Sequence, residues 1–135
     1  MKLISRQLTE EDYELLCEWW NHYNFPPPSR EFLPDNGTSG IMITDENGVA
    51  LCAGFIYETN SFTCLVEFVI ANPATKGQLR KESILLLLKT LNDLAEEWGY
   101  KYIFASVGHK SLIDKYLETG YQLGDQNTTE LIKTI

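Results

Sequence analysis

The stretch FTCLVEFVIANPATKGQLRKESILLLLKTLNDLAEEWG, residues 62–99, contains the strongest pattern in the sequence. In its second half, apolar residues recur at spacings of three and four with charged residues between them, which predicts a long amphipathic helix. The apolar positions are Ile84, Leu87, Leu88, Leu91, Leu94, Ala95 and Trp98. Gly99 follows where glycine commonly ends a helix.

The first half of the same stretch predicts a strand. Residues 65–71 form a nearly continuous apolar run, which is typical of a strand that is covered on both faces. Asn72-Pro73 ends this strand, and a short basic loop leads to the helix. Such a connection can hold an anion on the free N–H groups of the helix N-terminus. An ordinary connection between two core elements is the alternative.

The rest of the chain predicts further short elements. We expect strands at 2–8, 40–44, 49–58 and 102–107, closing strands at 121–124 and 129–134, and helices from Thr9 to about His22 and at 110–118. Residues 29–33 are expected to form one more helical turn. Trp19 and Trp20 are adjacent and point about 100° apart on a helix, so we expect only one of them in the core. The other would line a cleft or a partner surface.

Composition indicates a single globular domain over residues 1–135. The chain is 44% hydrophobic and 22% charged, as in ordinary soluble proteins. Its formal charge of −8 argues against nucleic acid or an anionic membrane as a partner and would favour a cationic one. The sequence has no signal-peptide pattern and no apolar run of about 18 residues, so we expect a cytoplasmic protein.

Cysteine and histidine usage excludes some kinds of site. Cys17, Cys52 and Cys64 are odd in number, widely spaced and in apolar company, which predicts buried free thiols. His22 and His109 lie far apart without neighbouring cysteines or paired carboxylates. We therefore expect no metal site.

Glu67 is the candidate general base from the residues alone. It is the only charged residue in an otherwise apolar strand, where burial would raise its pKa towards a working pH. An edge-facing or salt-bridged glutamate is the alternative interpretation.

Two local motifs and the order of the elements resemble the GNAT superfamily of acyl-CoA N-acyltransferases over essentially the whole chain. The segment NPATKG, residues 72–77, resembles the start of the family's acyl-CoA motif. The segment LIDKYLETGY, residues 112–121, is similar to the family's later segment, in which a tyrosine precedes a Gly-aromatic pair. The resemblance implies an α/β (α+β) fold with a mixed, mostly antiparallel sheet of six to seven strands, flanked by three to four helices.

The resemblance also implies a site for acetyl-CoA or another acyl-CoA. The strand at 66–71 would separate from the strand at 102–107, and backbone groups near Val69 and Ala71 would bind the pantetheine arm. Backbone amides at 77–81 would hold the pyrophosphate. The cofactor-binding set it implies is Val69, Ala71, Lys76, Gly77, Gln78, Arg80 and Lys81. Lys76, Arg80 and Lys81 would supply positive charge to the phosphates.

Under this resemblance, a small-molecule or protein amine attacks the thioester directly and no enzyme nucleophile is needed. Tyr116 falls on the position of the tyrosine that serves many members as the general acid. A plain core tyrosine is the alternative.

The sequence departs from the family pattern at the cofactor loop. Leu79 and Lys81 stand where two glycines are usual, and a Cβ there hinders close wrapping of the backbone around a pyrophosphate. His109 replaces the family's asparagine. These departures resemble GNAT-like proteins of bacteriophages and give the alternative of a catalytically degenerate, viral protein. That alternative predicts a homodimer or a stable complex with another protein.

Overall fold

The structure is a computed structural model that describes residues 2–135. It contains five strands, three α-helices and one short turn of 3-10 type at Pro34–Gly37. The strands are β1 (Leu3–Gln7), β2 (Gly40–Asp45), β3 (Ala50–Tyr57), β4 (Thr63–Ala71) and β5 (Tyr102–Phe104). The helices are α1 (Asp12–His22), α2 (Gly77–Glu97) and α3 (Lys110–Glu118).

The sheet follows the order of the chain, β1-β2-β3-β4-β5. The first four strands are antiparallel to their neighbours, while β5 lies parallel to β4. Helix α2 supplies the crossover between these two parallel strands, which cannot be joined by a tight turn. The sheet is mixed and mostly antiparallel, as expected.

Each face of the sheet is covered by its own hydrophobic cluster. The α2 side buries most of the apolar stripe that the sequence predicted for this helix, and Leu87, Leu88 and Leu91 are fully buried there. Trp98, at the end of the predicted stripe, is 41% exposed. The other side is covered by α1 and the segment after it, and its members include Leu16, Leu33 and Phe55. Both faces of the central strands are therefore excluded from solvent, which explains the continuous apolar run in β4.

The prediction of six to seven strands was wrong, because the two expected closing strands do not form in the described residues. Within residues 2–135, segments 121–124 and 129–134 are irregular, and residues 122–135 are exposed. Strand β5 is also shorter than predicted, because it ends at Phe104 rather than at Val107. A three-residue strand offers few backbone groups for a further strand to pair with.

The expectation that only one of Trp19 and Trp20 lies in the core was also wrong. Their side chains are 3% and 2% exposed. Trp20 stacks on Phe55 of the sheet, with ring centroids 6.4 Å apart. The irregular chain after α1 folds back over this helix, since Leu33 packs in the same cluster. A helix covered on two sides can bury neighbouring residues that point in different directions.

Helix α1 begins at Asp12, two residues later than expected for a helix with Thr9 as its N-cap. The backbone N–H and hydroxyl of Thr9 donate to the Asp12 carboxylate, at 2.8 and 3.2 Å. The Arg6 guanidinium also binds this carboxylate through two hydrogen bonds of 2.8 and 2.9 Å. These contacts tie β1 to α1 and lower the pKa of Asp12, chiefly through the Arg6 hydrogen bonds. Residues 29–33 form a turn, closed by the Leu33 N–H bond to Ser29 O at 3.3 Å.

No helix in residues 2–135 has the length and apolar character needed to cross a membrane.

Candidate active site

A cleft of about 940 Å³ opens where β4 and β5 separate. Their pairing covers three residues and stops at Leu65 and Phe104. Beyond this point β4 continues to Ala71, while the chain after Phe104 turns away towards α3. The predicted separation of these two strands is therefore present, although it begins after a shorter strand β5.

A β-bulge in β4 shapes the floor of the cleft. Phe55 of β3 pairs with Glu67, but Ala53, two residues earlier, pairs with Ile70, so β4 carries one extra residue. Phe68 takes up the distortion with φ of 55°, which is unusual for a bulky residue. Gly54 lies opposite the bulge, and a Cβ there would meet Val69 Cγ2 at 3.1 Å. A small residue is thus required where the two strands approach.

The bulge places the Glu67 side chain in the cleft. Both of its carboxylate oxygens accept the Ser106 N–H, at 3.0 and 3.1 Å, so the carboxylate bridges the separated strands. Burial raises the pKa of Glu67 to about 7, with a further contribution from Glu130, while the Ser106 N–H acts in the opposite direction. The five ion pairs of the described residues do not include Glu67. The recorded partner of the Glu67 carboxylate is thus a backbone N–H and not a cation.

Tyr116 reaches the same cleft from α3. It is 4% exposed, and its hydroxyl donates to the Val66 carbonyl at 3.1 Å. Its ring packs edge-on against Tyr121, at a centroid distance of 4.9 Å. Burial raises the pKa of Tyr116 far above that of a free phenol, so this hydroxyl keeps its proton at neutral pH. Tyr116 is thus a core residue that also lines the cleft, with its hydroxyl bonded to a backbone carbonyl.

The N-terminus of α2 leaves free backbone donors near the cleft. The first bond of the helical pattern runs from Arg80 N–H to Lys76 O, at 3.2 Å. The N–H groups of residues 77–79 precede this bond and have no partner within the helix. Gly77 begins the helix with φ of 57°, in the left-handed region that suits glycine.

The basic residues of this segment are not equivalent. Arg80 lines the cleft, whereas Lys76 and Gln78 are exposed outside it. The Lys81 ammonium lies 3.6 Å from the Glu118 carboxylate. Leu79, which stands where the resemblance implies a glycine, packs against the core under the helix. Its side chain therefore does not cover the free amides.

Comparison with solved structures identifies this architecture. A phosphinothricin acetyltransferase of the GNAT superfamily from Sinorhizobium meliloti, in complex with AcCoA, superposes with a TM-score of 0.75 and 19% identity over 93% of this chain and 77% of that chain. The chain has the GNAT fold. No family model and no curated protein matches the sequence.

Two other solved structures match with similar TM-scores. An aminoglycoside acetyltransferase from an uncultured soil metagenomic sample matches with a TM-score of 0.65 and 17% identity, over 98% of this chain and 96% of that one. A transcriptional regulator from Bacillus halodurans matches with a TM-score of 0.69 and 13% identity, over 97% and 100%. At such identities the likeness establishes the fold and not the activity. The phage-type resemblance gains no support from these matches and stays a prediction.

In this GNAT fold, the edge of β4 that faces the cleft is partly occupied by the protein's own side chains. The Tyr23 hydroxyl donates to Ala71 O at 3.1 Å and accepts a 3.0 Å hydrogen bond from Arg80. Val69 lies two residues before Ala71 and presents its backbone to the same side. Tyr23 thus holds one of the two backbone positions that the resemblance assigns to the pantetheine arm.

Tyr23→Phe is expected to tighten acyl-CoA binding. The change frees the Ala71 carbonyl and one Arg80 donor, and a neutral hydrogen bond is worth about 0.5–1.5 kcal/mol, or about 2- to 10-fold in Kd. Isothermal titration with CoA measures the effect. Tyr13→Phe is the matched control, because the Tyr13 hydroxyl donates to Pro28 O and does not line the cleft. Weaker binding by the Tyr23 variant would contradict this assignment.

The three cysteines of this chain do not line the cleft. Cys52 and Cys64 are fully buried and Cys17 is half-buried, and all three are free thiols. Burial raises the pKa of the Cys52 thiol to about 12, so it stays protonated and unreactive. His109 lines the cleft and His22 packs edge-on against Tyr23. No group of three or more potential metal ligands occurs in the described part of the chain.

Sequence reasoning missed three contributors to the site, namely Ser106, Tyr23 and Phe68. Gly54, an isolated glycine inside a strand pattern, was the available signal for the bulge at Phe68. Tyr23 directly follows α1, at the start of a segment rich in aromatic residues and proline. The Ser106 contact has no signal in the sequence, because it depends on where β5 leaves β4.

Proposed function

We propose that the protein transfers an acetyl or other acyl group from acyl-CoA to a primary amine. The observation that carries the proposal is Glu67, a half-buried carboxyl with a pKa of about 7, set where the strands of a GNAT fold separate. A carboxylate with this pKa is matched to proton abstraction near neutral pH. The AcCoA complex of the S. meliloti neighbour supports the choice of donor, and the aminoglycoside acetyltransferase supports a small-molecule amine as acceptor.

The residues fit an acyl-CoA only in part. The free amides of 77–79 and the Arg80 guanidinium would hold the pyrophosphate. The backbone at Val69 and Ala71 would hold the pantetheine arm once Tyr23 moves. Lys81 contributes less than the sequence implied, because Glu118 neutralises part of its charge.

The proposed chemistry needs a proton acceptor and a proton donor. When bound, acyl-CoA would supply the acyl group as a thioester that the amine attacks directly. Glu67 takes one proton from the incoming ammonium, through water. The Tyr116 hydroxyl, which burial keeps protonated, gives a proton to the departing thiolate and regains one from the amine nitrogen as the amide forms. The products are the amide and the free thiol, and the proton on Glu67 returns to solvent. The roles of Glu67 and Tyr116 form part of the proposal.

The rate is expected to rise with pH and to level off above about 7. Below the pKa of Glu67 the carboxyl is protonated and cannot act as a base, so kcat falls about tenfold per pH unit. In Glu67→Gln, kcat should no longer fall as the pH decreases below about 7. Steady-state kinetics between pH 5 and 8.5 measure it. A wild-type profile that is flat between pH 5.5 and 7.5 would contradict the role of Glu67.

The direct experiment is acetyl-CoA-dependent release of free thiol by the purified protein in the presence of a panel of primary amines. The proposal expects thiol release that requires both the amine and the protein, with the N-acetylated amine identified by mass spectrometry. Hydrolysis without amine acetylation, or no release with any amine, would overturn it.

A degenerate GNAT-fold interaction protein is the second candidate. The Tyr23 contact with Ala71 and the Lys81–Glu118 ion pair favour it, since both reduce what is available to a cofactor. It predicts no binding of acyl-CoA at millimolar concentration and a stable complex with another protein or a second copy of this chain. Loss of a measured turnover in folded Tyr116→Phe would exclude it.

A further inference from the structure

Four aromatic side chains line the cleft, and three of them pack together. They come from three parts of the fold, and their rings are Phe25, Phe32, Tyr57 and Phe68. Phe25 and Phe32 are each 47% exposed, although both are large apolar residues. Phe32 and Phe68 pack edge to face with centroids 5.8 Å apart, and the Tyr57 ring lies 6.5 Å from Phe68. We call these four residues the aromatic wall.

The wall is held by contacts that do not need a ligand. The Tyr57 hydroxyl donates to Phe32 O at 2.9 Å and so fixes the segment after α1 against β3. The Arg30 guanidinium lies over the Tyr13 ring at 4.4 Å and anchors the same segment to α1. Phe68 is fixed by the bulge, at a backbone conformation that persists only when its surroundings impose it. The wall is therefore preorganised for an apolar group.

Charge in the cleft is balanced and sparse. Among the described lining residues the carboxylates are Glu67 and Glu130, and the permanent cations are Arg80 and Lys115. An acceptor with several ammonium groups would find no surplus of negative charge here. One ammonium, in contrast, is matched by Glu67, which lies close enough to the aromatic wall that, after burial, its charge also raises the pKa of the Tyr57 hydroxyl.

We propose that the acceptor is a small primary amine with an aromatic body, its ammonium at Glu67 and its ring on the aromatic wall. The inference rests on the proposed function, since it names the acceptor of that reaction. Aromatic rings prefer edge-to-face and offset contacts at centroid distances such as those within the wall. A polyhydroxylated or polycationic amine lacks a ring that could pack on the aromatic wall.

The first test compares 2-phenylethylamine, ethanolamine and spermidine in the thiol-release assay. The expected kcat/KM is at least about tenfold higher for 2-phenylethylamine than for either of the others, which corresponds to one well-packed ring. Phe32→Ser should raise the KM for 2-phenylethylamine about 5- to 10-fold and leave the values for ethanolamine unchanged. Phe62→Ser is the matched control, because Phe62 is 61% exposed and lies outside the cleft.

The second test is calorimetric titration of the protein with 2-phenylethylamine, with or without CoA, which needs no turnover. Equal or better use of ethanolamine or spermidine, or no change in the 2-phenylethylamine KM in Phe32→Ser, would overturn the inference and leave the proposed function standing. Binding that Phe32→Ser weakens, without acetylation of any amine, would support the aromatic-amine site and overturn the proposed function. Neither binding nor acetylation would overturn both.

Discussion

Glu67→Gln is expected to lower kcat for acyl transfer by about 10²- to 10⁴-fold, the usual contribution of a general base. The amide is nearly isosteric, and its oxygen can still accept the Ser106 N–H, so the two strands should keep their positions. Affinity for acyl-CoA should change less than about threefold, because Glu67 is not assigned to the cofactor. Single-turnover kinetics with saturating acetyl-CoA separate the two effects.

The control for this variant is Glu97→Gln, at the exposed C-terminal end of α2, which should have wild-type kinetics. Thermal melts provide a second readout. The fold raises the pKa of Glu67 from 4.5 to about 7 and so favours its protonated form. The free energy of unfolding therefore decreases as the pH rises from 4.5 to about 7. Glu67→Gln should therefore gain more in Tm over wild type at pH 8 than at pH 5. Full activity in the variant would remove Glu67 from the mechanism.

Leu88→Ala is expected to lower the free energy of unfolding by about 2–5 kcal/mol, the cost of removing a fully buried leucine side chain and leaving a cavity. Leu88 is 0% exposed in the cluster between α2 and the sheet. For a chain of this size the loss corresponds to a decrease in Tm on the order of 10 °C. Urea denaturation followed by circular dichroism measures it.

Lys89→Ala is the matched control on the same helix. The Lys89 side chain is 69% exposed and pairs with Asp93 at 2.9 Å, one helical turn away. Exposed pairs of this kind contribute about 0.3–0.5 kcal/mol. Similar losses in both variants would mean that α2 does not bury the face assigned to it.

The sequence predicted the parts of the fold that local patterns specify. The apolar stripe of α2 and the runs that became β3 and β4 are regular over many residues, and burial of one face is enough to produce such patterns. Glu67 could also be singled out from the sequence, because a lone charge in an apolar strand is visible without a structure. Burial in the fold raises its pKa, the direction expected from the sequence, and its role as a base is the proposal made above.

The errors lie where distant segments decide the outcome. Trp19 and Trp20 are both buried because the chain near Leu33 folds back over α1, which no helical period reveals. The prediction of two closing strands was wrong because these strands would have to pair with a longer β5 than the chain forms. The Tyr23 contact with Ala71 joins residues 48 positions apart and could not be predicted from either segment.

The central claim is that the cleft binds an acyl-CoA at the N-terminus of α2, with its reacting end near Glu67. Isothermal titration of the purified protein with acetyl-CoA tests it most directly, because binding must precede any transfer. We expect one-to-one binding with a Kd in the micromolar range, weakened in Arg80→Ala. Absence of heat and of any thermal shift at millimolar acetyl-CoA would contradict it and would favour the interaction protein instead.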